Sequence, residues 1–228
     1  MTTWTENDNK IDPPMTFAKI CGIKTLEQAR AALDSGADFL GFVFYRPSIR
    51  YVKPDTAAEI VSACRAEFGG SERWRAVGVF VDEPLERANQ IIATAGLDLL
   101  QACGSEERAY CLAVDRPVIR VVHVGGDHEL PAKLDAADYG AARLMLDTQV
   151  PGHYGGTGQT YGWSAAREIA AECFLAGGLS PTNVAMAIDE ARPWAVDVSS
   201  GVERGGVKDV QLIREFLQEV RRADDNLG

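Results

Sequence analysis

The chain has 228 residues, with 23 Lys+Arg against 33 Asp+Glu and a formal charge of −10. At about 100–200 residues per domain this is one large domain or two small ones. Hydrophobic residues make up 46%, enough for a sizeable core, which excludes a disordered chain or a disulfide-stapled miniature. The acidic balance argues against a nucleic-acid partner and against an anionic membrane surface, since both need clustered Lys and Arg. It leaves a small anionic ligand open, because backbone N–H groups can hold phosphate.

No apolar run approaches the roughly 18 residues of a membrane span. The start, Met1 to Pro14, has neither a basic opening nor an apolar stretch, and no secretory signal is read there. Cys21, Cys64, Cys103, Cys111 and Cys173 are odd in number and scattered, with no CxxC, which reads as a reduced, cytoplasmic protein. His123, His128 and His153 lack the i, i+4 pairing of a helical metal site.

Strands are expected at 17–21, 39–44, 76–81, 97–101, 118–124, 143–147, 173–176 and 195–198. The connections exceed the dozen or so residues that a parallel crossover needs. Helix signals fill them. Thr25-Leu-Glu-Gln28 is a capping box, and Leu26, Ala29, Ala32 and Leu33 then share a face that should stop at Gly36. Asp55 or Thr56 opens the next helix, which runs toward Phe68. Pro84 suits a first turn, with Gly96 as the stop. Ser105 caps the helix after strand four, and a weak helical stretch, 135–139, follows strand five. Ser164 starts the helix after strand six, Ser180-Pro181 the one after strand seven, and Asp209 the last.

Eight β–α repeats imply an α/β fold, a single-domain (β/α)8 TIM barrel over residues 17–228, with residues 1–16 as a loose extension. A doubly wound sheet is the competitor. Its Gly-rich first turn is not matched by Cys21-Gly-Ile-Lys24.

In such a barrel the chemistry sits where the strands end. Alternation puts Lys19 and Cys21 on one face of strand one and Ile20 on the other. An ammonium beside a thiol lowers the thiol pKa, whereas the bland reading makes Cys21 a buried filler. Arg46 and Arg50 lie in the loop after strand two, where a guanidinium fork suits a carboxylate. Asp147 ends strand six after an apolar run. It is a candidate general acid or base, or else a turn aspartate. Gly152 to Gln159 is rich in glycine. With Gly177-Gly178 and Ser199-Ser-Gly201 it offers three small-residue turns after strands six, seven and eight, the recurrent phosphate site of this fold. One thiol, one carboxylate and a phosphate cradle suit proton transfer on a sugar phosphate.

Lys19-Ile-Cys-Gly-Ile23, Gly41-Phe-Val-Phe44, Leu146-Asp-Thr148, Pro151-Gly-His-Tyr-Gly-Gly-Thr-Gly158, Leu175-Ala-Gly-Gly-Leu-Ser-Pro181 and Val196-Asp-Val-Ser-Ser-Gly-Val-Glu203 closely resemble the phosphoribosylanthranilate isomerases of tryptophan biosynthesis. The motifs run in family order over nearly the whole chain. The resemblance implies an Amadori rearrangement of N-(5-phosphoribosyl)anthranilate to 1-(2-carboxyphenylamino)-1-deoxyribulose 5-phosphate, without metal or organic cofactor, by a monomer or homodimer. It implies Asp147 as general acid, Cys21 as general base and Arg50 as the partner of the anthranilate carboxylate. It implies Gly156, Thr157, Gly158, Gly178, Ser200 and Gly201 as the phosphate cradle. Asp197 matches a carboxylate at the mouth, with no role fixed. For opposite protonation states, the carboxyl pKa should rise and the thiol pKa fall.

Three positions depart from the pattern. Cys103, expected to share the inward face with Gln101, stands in place of a histidine. Gln159 stands in place of a common lysine. The segment Glu203–Lys208 is one residue short. Two other readings are an isomerase acting on the aminoimidazole intermediate of histidine synthesis, and an inactive ligand-binding paralogue. Retention of both Cys21 and Asp147 argues against the second.

Overall fold

The computed structural model describes residues 15–124, 134–147 and 163–227. Its eight parallel strands are β1 (Phe17–Cys21), β2 (Phe39–Val43), β3 (Arg75–Phe80), β4 (Leu99–Ala102), β5 (Val118–His123), β6 (Arg143–Asp147), β7 (Phe174–Ala176) and β8 (Ala195–Val198). They close in sequence order, and β1 pairs with both β2 and β8. The expected barrel is therefore present, and the doubly wound alternative falls, because a closed ring has no sheet edge.

Side-chain alternation divides the core in two. Ile20, Leu40, Phe42, Leu100, Leu146 and Val196 point outward and pack with the helices. Phe39, Val77, Leu99, Ile119, Met145 and Phe174 point inward and plug the barrel. The inner plug ends toward the strand C-termini at Cys21, Val43 and Val79, with Cys103 packed against them.

The helices are α1 (Leu26–Asp34), α2 (Pro54–Phe68), α3 (Leu85–Ala95), α4 (Arg108–Ala113), α5 (Arg167–Ala170), α6 (Val184–Ala191) and α7 (Val210–Asp225). A 3-10 turn, Ala136–Tyr139, stands after β5. The capping box at Thr25–Gln28 forms as expected, and Asp209 accepts from the N–H groups of Gln211 and Leu212 at the start of α7. Gly96, at φ 64°, stops α3. The Leu97 N–H is drawn into that stop through the Ile92 carbonyl, so β4 begins at Leu99 and not at Leu97.

Four expected helix starts are corrected. Pro54 opens α2, since a proline forfeits no hydrogen bond in a first turn. Ser105 caps nothing. Its N–H and hydroxyl both bond to Asp82 Oδ1, and α4 begins after Glu107. The carboxamide of Asn183 accepts from the Ser180 N–H, which folds Ser180–Thr182 into a turn and delays α6 to Val184. Ser164 lies within a 3-10 turn, Trp163–Ala166, that precedes α5.

After β8 a short ribbon pairs β9 (Glu203–Arg204) with β10 (Val207–Lys208). Gly205 and Gly206 have φ of 59° and 78°, the left-handed pair of a two-residue type I′ turn. The segment that is one residue short in sequence is thus a minimal hairpin, with Glu203 directly opposite Lys208.

The seam between β1 and β8 is reinforced outside the sheet. Asp224 of α7 accepts from the N–H of Thr16 at 3.0 Å and from its hydroxyl at 2.7 Å, and Arg221 donates to the Thr16 carbonyl. Thr16 is accordingly buried. Of the expected extension, only Met15 and Thr16 lie within the described residues. Among those residues no helix is long and apolar enough to cross a membrane.

Candidate active site

Lys19 and Cys21 share the inner face of β1, as alternation requires, while Ile20 packs outward. Lys19 is fully buried, and its Nζ donates to Asp197 Oδ1 of β8 at 2.8 Å. The register Lys19↔Asp197 sets this pair directly across the seam. Burial alone would lower the Lys19 pKa, but the carboxylate of Asp197 and the Cys21 sulfur outweigh it and hold the ammonium charged.

Gly41 of β2 makes room for the arrangement. A Cβ there would lie 2.9 Å from Cys21 Sγ and 3.1 Å from Lys19 Nζ. Burial pushes the Cys21 thiol above its ordinary 9.0. Lys19 and Lys208 pull it down, and Asp197 pushes it up. The expectation of a lowered thiol is therefore overturned, because desolvation exceeds the pull of the neighbouring cations.

Asp147 ends β6 on the same face as Met145 and is partly buried. His123 stands beside it on β5, with Nδ1 at 3.7 Å from Asp147 Oδ2. In the sequence this histidine is weighed only as a metal ligand, and its place at the end of β5 is the signal that sets it beside Asp147.

Cys103 follows β4 and receives a hydrogen bond from Gln101 Nε2 at 3.3 Å, which confirms the shared inward face. Burial pushes its thiol up to about 12, so the residue that stands in place of the family's histidine favours its neutral form. Arg120 and Glu106 fix this turn. Arg120 donates to the Ala102 and Gly104 carbonyls, and Glu106 accepts from the Gly104 N–H.

Arg50 lies over Gly22, where a Cβ would meet its Cδ at 2.9 Å. It binds Glu203 through Nε and Nη2, each at 2.7 Å. Lys208 Nζ binds the same carboxylate and the Ser199 carbonyl, and Ser199 Oγ donates to the Cys21 carbonyl. Glu203 and Lys208 were read in sequence only as parts of a shortened turn. Their pairing depends on a hairpin register that spacing alone does not reveal.

Gly178 is at φ 67°, with nothing within 4 Å of where a Cβ would stand. At Gly201 a Cβ would lie 1.9 Å from the Leu179 carbonyl oxygen. The turns after β7 and β8 are therefore in contact, and Ser200 opens a 3-10 turn there. Gly156, Thr157, Gly158 and Gln159 lie outside the described residues.

The family model for N-(5'-phosphoribosyl)anthranilate isomerase matches residues 18–219. The chain belongs to the phosphoribosylanthranilate isomerase family. It is 44% identical to the isomerase of Hahella chejuensis over 207 residues, covering 90% of this chain and 93% of that one. The isomerase of Geobacter sp. strain M21 is 43% identical over 211 residues, covering 91% and 99%. The crystal structure of the phosphoribosyl anthranilate isomerase from Thermotoga maritima superposes with a TM-score of 0.75 at 36% identity, covering 91% of this chain and all of that one. A second isomerase structure, in complex with reduced 1-(o-carboxyphenylamino)-1-deoxyribulose 5-phosphate, gives 0.72 at 33% identity, with the same coverage. The family is one of isomerases on the barrel described above.

Proposed function

We propose that the chain converts N-(5'-phosphoribosyl)anthranilate to 1-(2-carboxyphenylamino)-1-deoxyribulose 5-phosphate in tryptophan biosynthesis, with Asp147 as general acid and Cys21 as general base. The observation that carries this reading is the inward pair of an ionisable thiol and a carboxyl at the ends of β1 and β6, in a chain that matches the isomerase family over residues 18–219.

Asp147 gives its proton to the furanose ring oxygen. The C1′–O bond opens, and the anilinic nitrogen supplies the electrons for a C=N bond. The Cys21 thiolate then takes the C2′ proton, and the resulting enolamine tautomerises to the ketone. The Lys19 ammonium stabilises the thiolate while it exists, and Asp197 keeps Lys19 in place. Arg50 meets the anthranilate carboxylate. Gly178, Ser200 and Gly201, with Gly156, Thr157 and Gly158, take the phosphate through backbone N–H groups. Such local donors act within the ~8 Å that salt leaves unscreened, and so overcome the overall charge of −10. The five free cysteines suit a reduced cytoplasm. A monomer and a homodimer both fit this site.

The test is turnover of freshly generated phosphoribosylanthranilate, followed by loss of anthranilate fluorescence. Wild type should turn over. Cys21→Ser and Asp147→Ala should each lose at least about a hundredfold in kcat while melting at the wild-type temperature. Near-wild-type rates in either variant would refute the two-residue mechanism.

A further inference from the structure

Arg50 is read above as the group that meets the substrate carboxylate, and the following inference rests on that reading. A guanidinium has five N–H donors, arranged on a side edge (Nε and one Nη) and an end edge (both Nη). In this protein the side edge is occupied by the two oxygens of Glu203, at 2.7 Å each. The end edge is left to bind a second carboxylate. Arg50 is about a quarter exposed, while the Glu203 side chain is only 6% exposed. The anchor is thus buried, and the cation it holds faces the mouth.

Glu203 is itself fixed twice over. The I′ turn at Gly205-Gly206 sets Lys208 opposite it, and the buried Lys208 ammonium binds Glu203 Oε1 and the Ser199 carbonyl. Ser199 in turn bonds to the backbone of Cys21. One buried carboxylate therefore ties the loop after β2 to the loop after β8 and to the end of β1.

We propose that Glu203, anchored by Lys208, is a positioning residue that presents the end edge of Arg50 to the carboxylate of the substrate. Glu203 does not touch substrate. It fixes the angle of a planar fork whose bidentate contact is intolerant of rotation.

The experiment compares two substrates, phosphoribosylanthranilate and the phosphoribosyl adduct of aniline, which lacks the carboxylate. In Glu203→Gln, the KM for phosphoribosylanthranilate should rise about tenfold with kcat within about threefold, and the KM for the aniline adduct should not change. Arg50→Lys keeps the charge, has a partly exposed side chain, and cannot use two edges. It should show the same split, and adding Glu203→Gln to it should raise KM no further. If Glu203→Gln weakens both substrates equally, or its effect adds fully to that of Arg50→Lys, the proposal is overturned. If Glu203→Gln fails to fold, the Arg50→Lys split decides: an unchanged KM for phosphoribosylanthranilate in that variant means that two edges are not needed, and overturns it. If Arg50→Ala leaves both KM values unchanged, the carboxylate assignment itself is wrong, an outcome distinct from failure of the Glu203 variant alone.

Discussion

Cys21 carries the sharpest consequence of burial. Desolvation holds its thiol above the ordinary 9.0 despite two nearby ammonium groups. The mechanism needs one proton across the two groups, held on Asp147 with Cys21 ionised, and the population of that state is constant between the carboxyl and the thiol titrations. A carboxyl and a thiol give up the thiol proton last. The plot of kcat/KM against pH should therefore stay flat through neutrality and fall only above about 9. An alkaline limb near pH 7 would show that the thiol is activated after all. Sequence alternation revealed that Lys19 and Cys21 share a face. It could not reveal that burial wins, because desolvation is a property of the closed barrel. Lys19→Met would leave Asp197 buried without its partner, and should cost about 3–5 kcal/mol in urea unfolding. A cost under ~1 kcal/mol would mean that water reaches Asp197.

At the level of single elements, strands were legible and caps less so. The bounds of β1, β6 and β8 follow directly from their apolar runs. The starts of α4 and α6 do not, because Ser105 and Ser180 are claimed by Asp82 and Asn183 within their own loops. The hairpin β9–β10 was the least legible element, because its pairing depends on a two-residue turn. Its acid stability follows from Glu203. Burial would raise that carboxyl, but Arg50 and Lys208 hold it below its ordinary 4.5. The folded value lies below the unfolded one, so the stabilisation is present above about pH 4.5 and disappears as the pH falls through the folded value. Thermal melts between pH 7 and pH 3 should show Glu203→Gln losing less stability across that acid window than wild type. Parallel curves would assign the acid loss to other carboxylates. On β2, Gly41→Ala would press a methyl against Cys21 Sγ and the Cys21 backbone, and kcat should drop tenfold or more alongside a loss of about 1–3 kcal/mol in stability.

For the whole molecule, the repeat of strands and helices was enough to read a closed barrel, since seven successive parallel crossovers leave few other solutions. The contacts that lock the ring were not readable, because they join residues far apart in sequence. Thr16 and Asp224 are separated by 208 positions. Asp224→Ala removes an acceptor of two hydrogen bonds, one of them from the backbone leading into β1. It should destabilise by about 2–4 kcal/mol in equilibrium unfolding without altering KM. An equal loss in Thr16→Ala would place the whole effect in the hydroxyl bond.

The seam between β1 and β8 also imposes a wait on the growing chain. Lys19 and Asp197 are 178 positions apart. At ribosomal speeds of about 5–20 residues per second, roughly ten to forty seconds separate the synthesis of the lysine from that of its carboxylate. A β1 strand formed within that interval would have one open edge and an ammonium without its carboxylate. A charge on the strand's inner face disfavours edge-to-edge pairing with other chains. The residue that later sits beside the thiol would thus guard an early-formed strand before there is any site for it to serve.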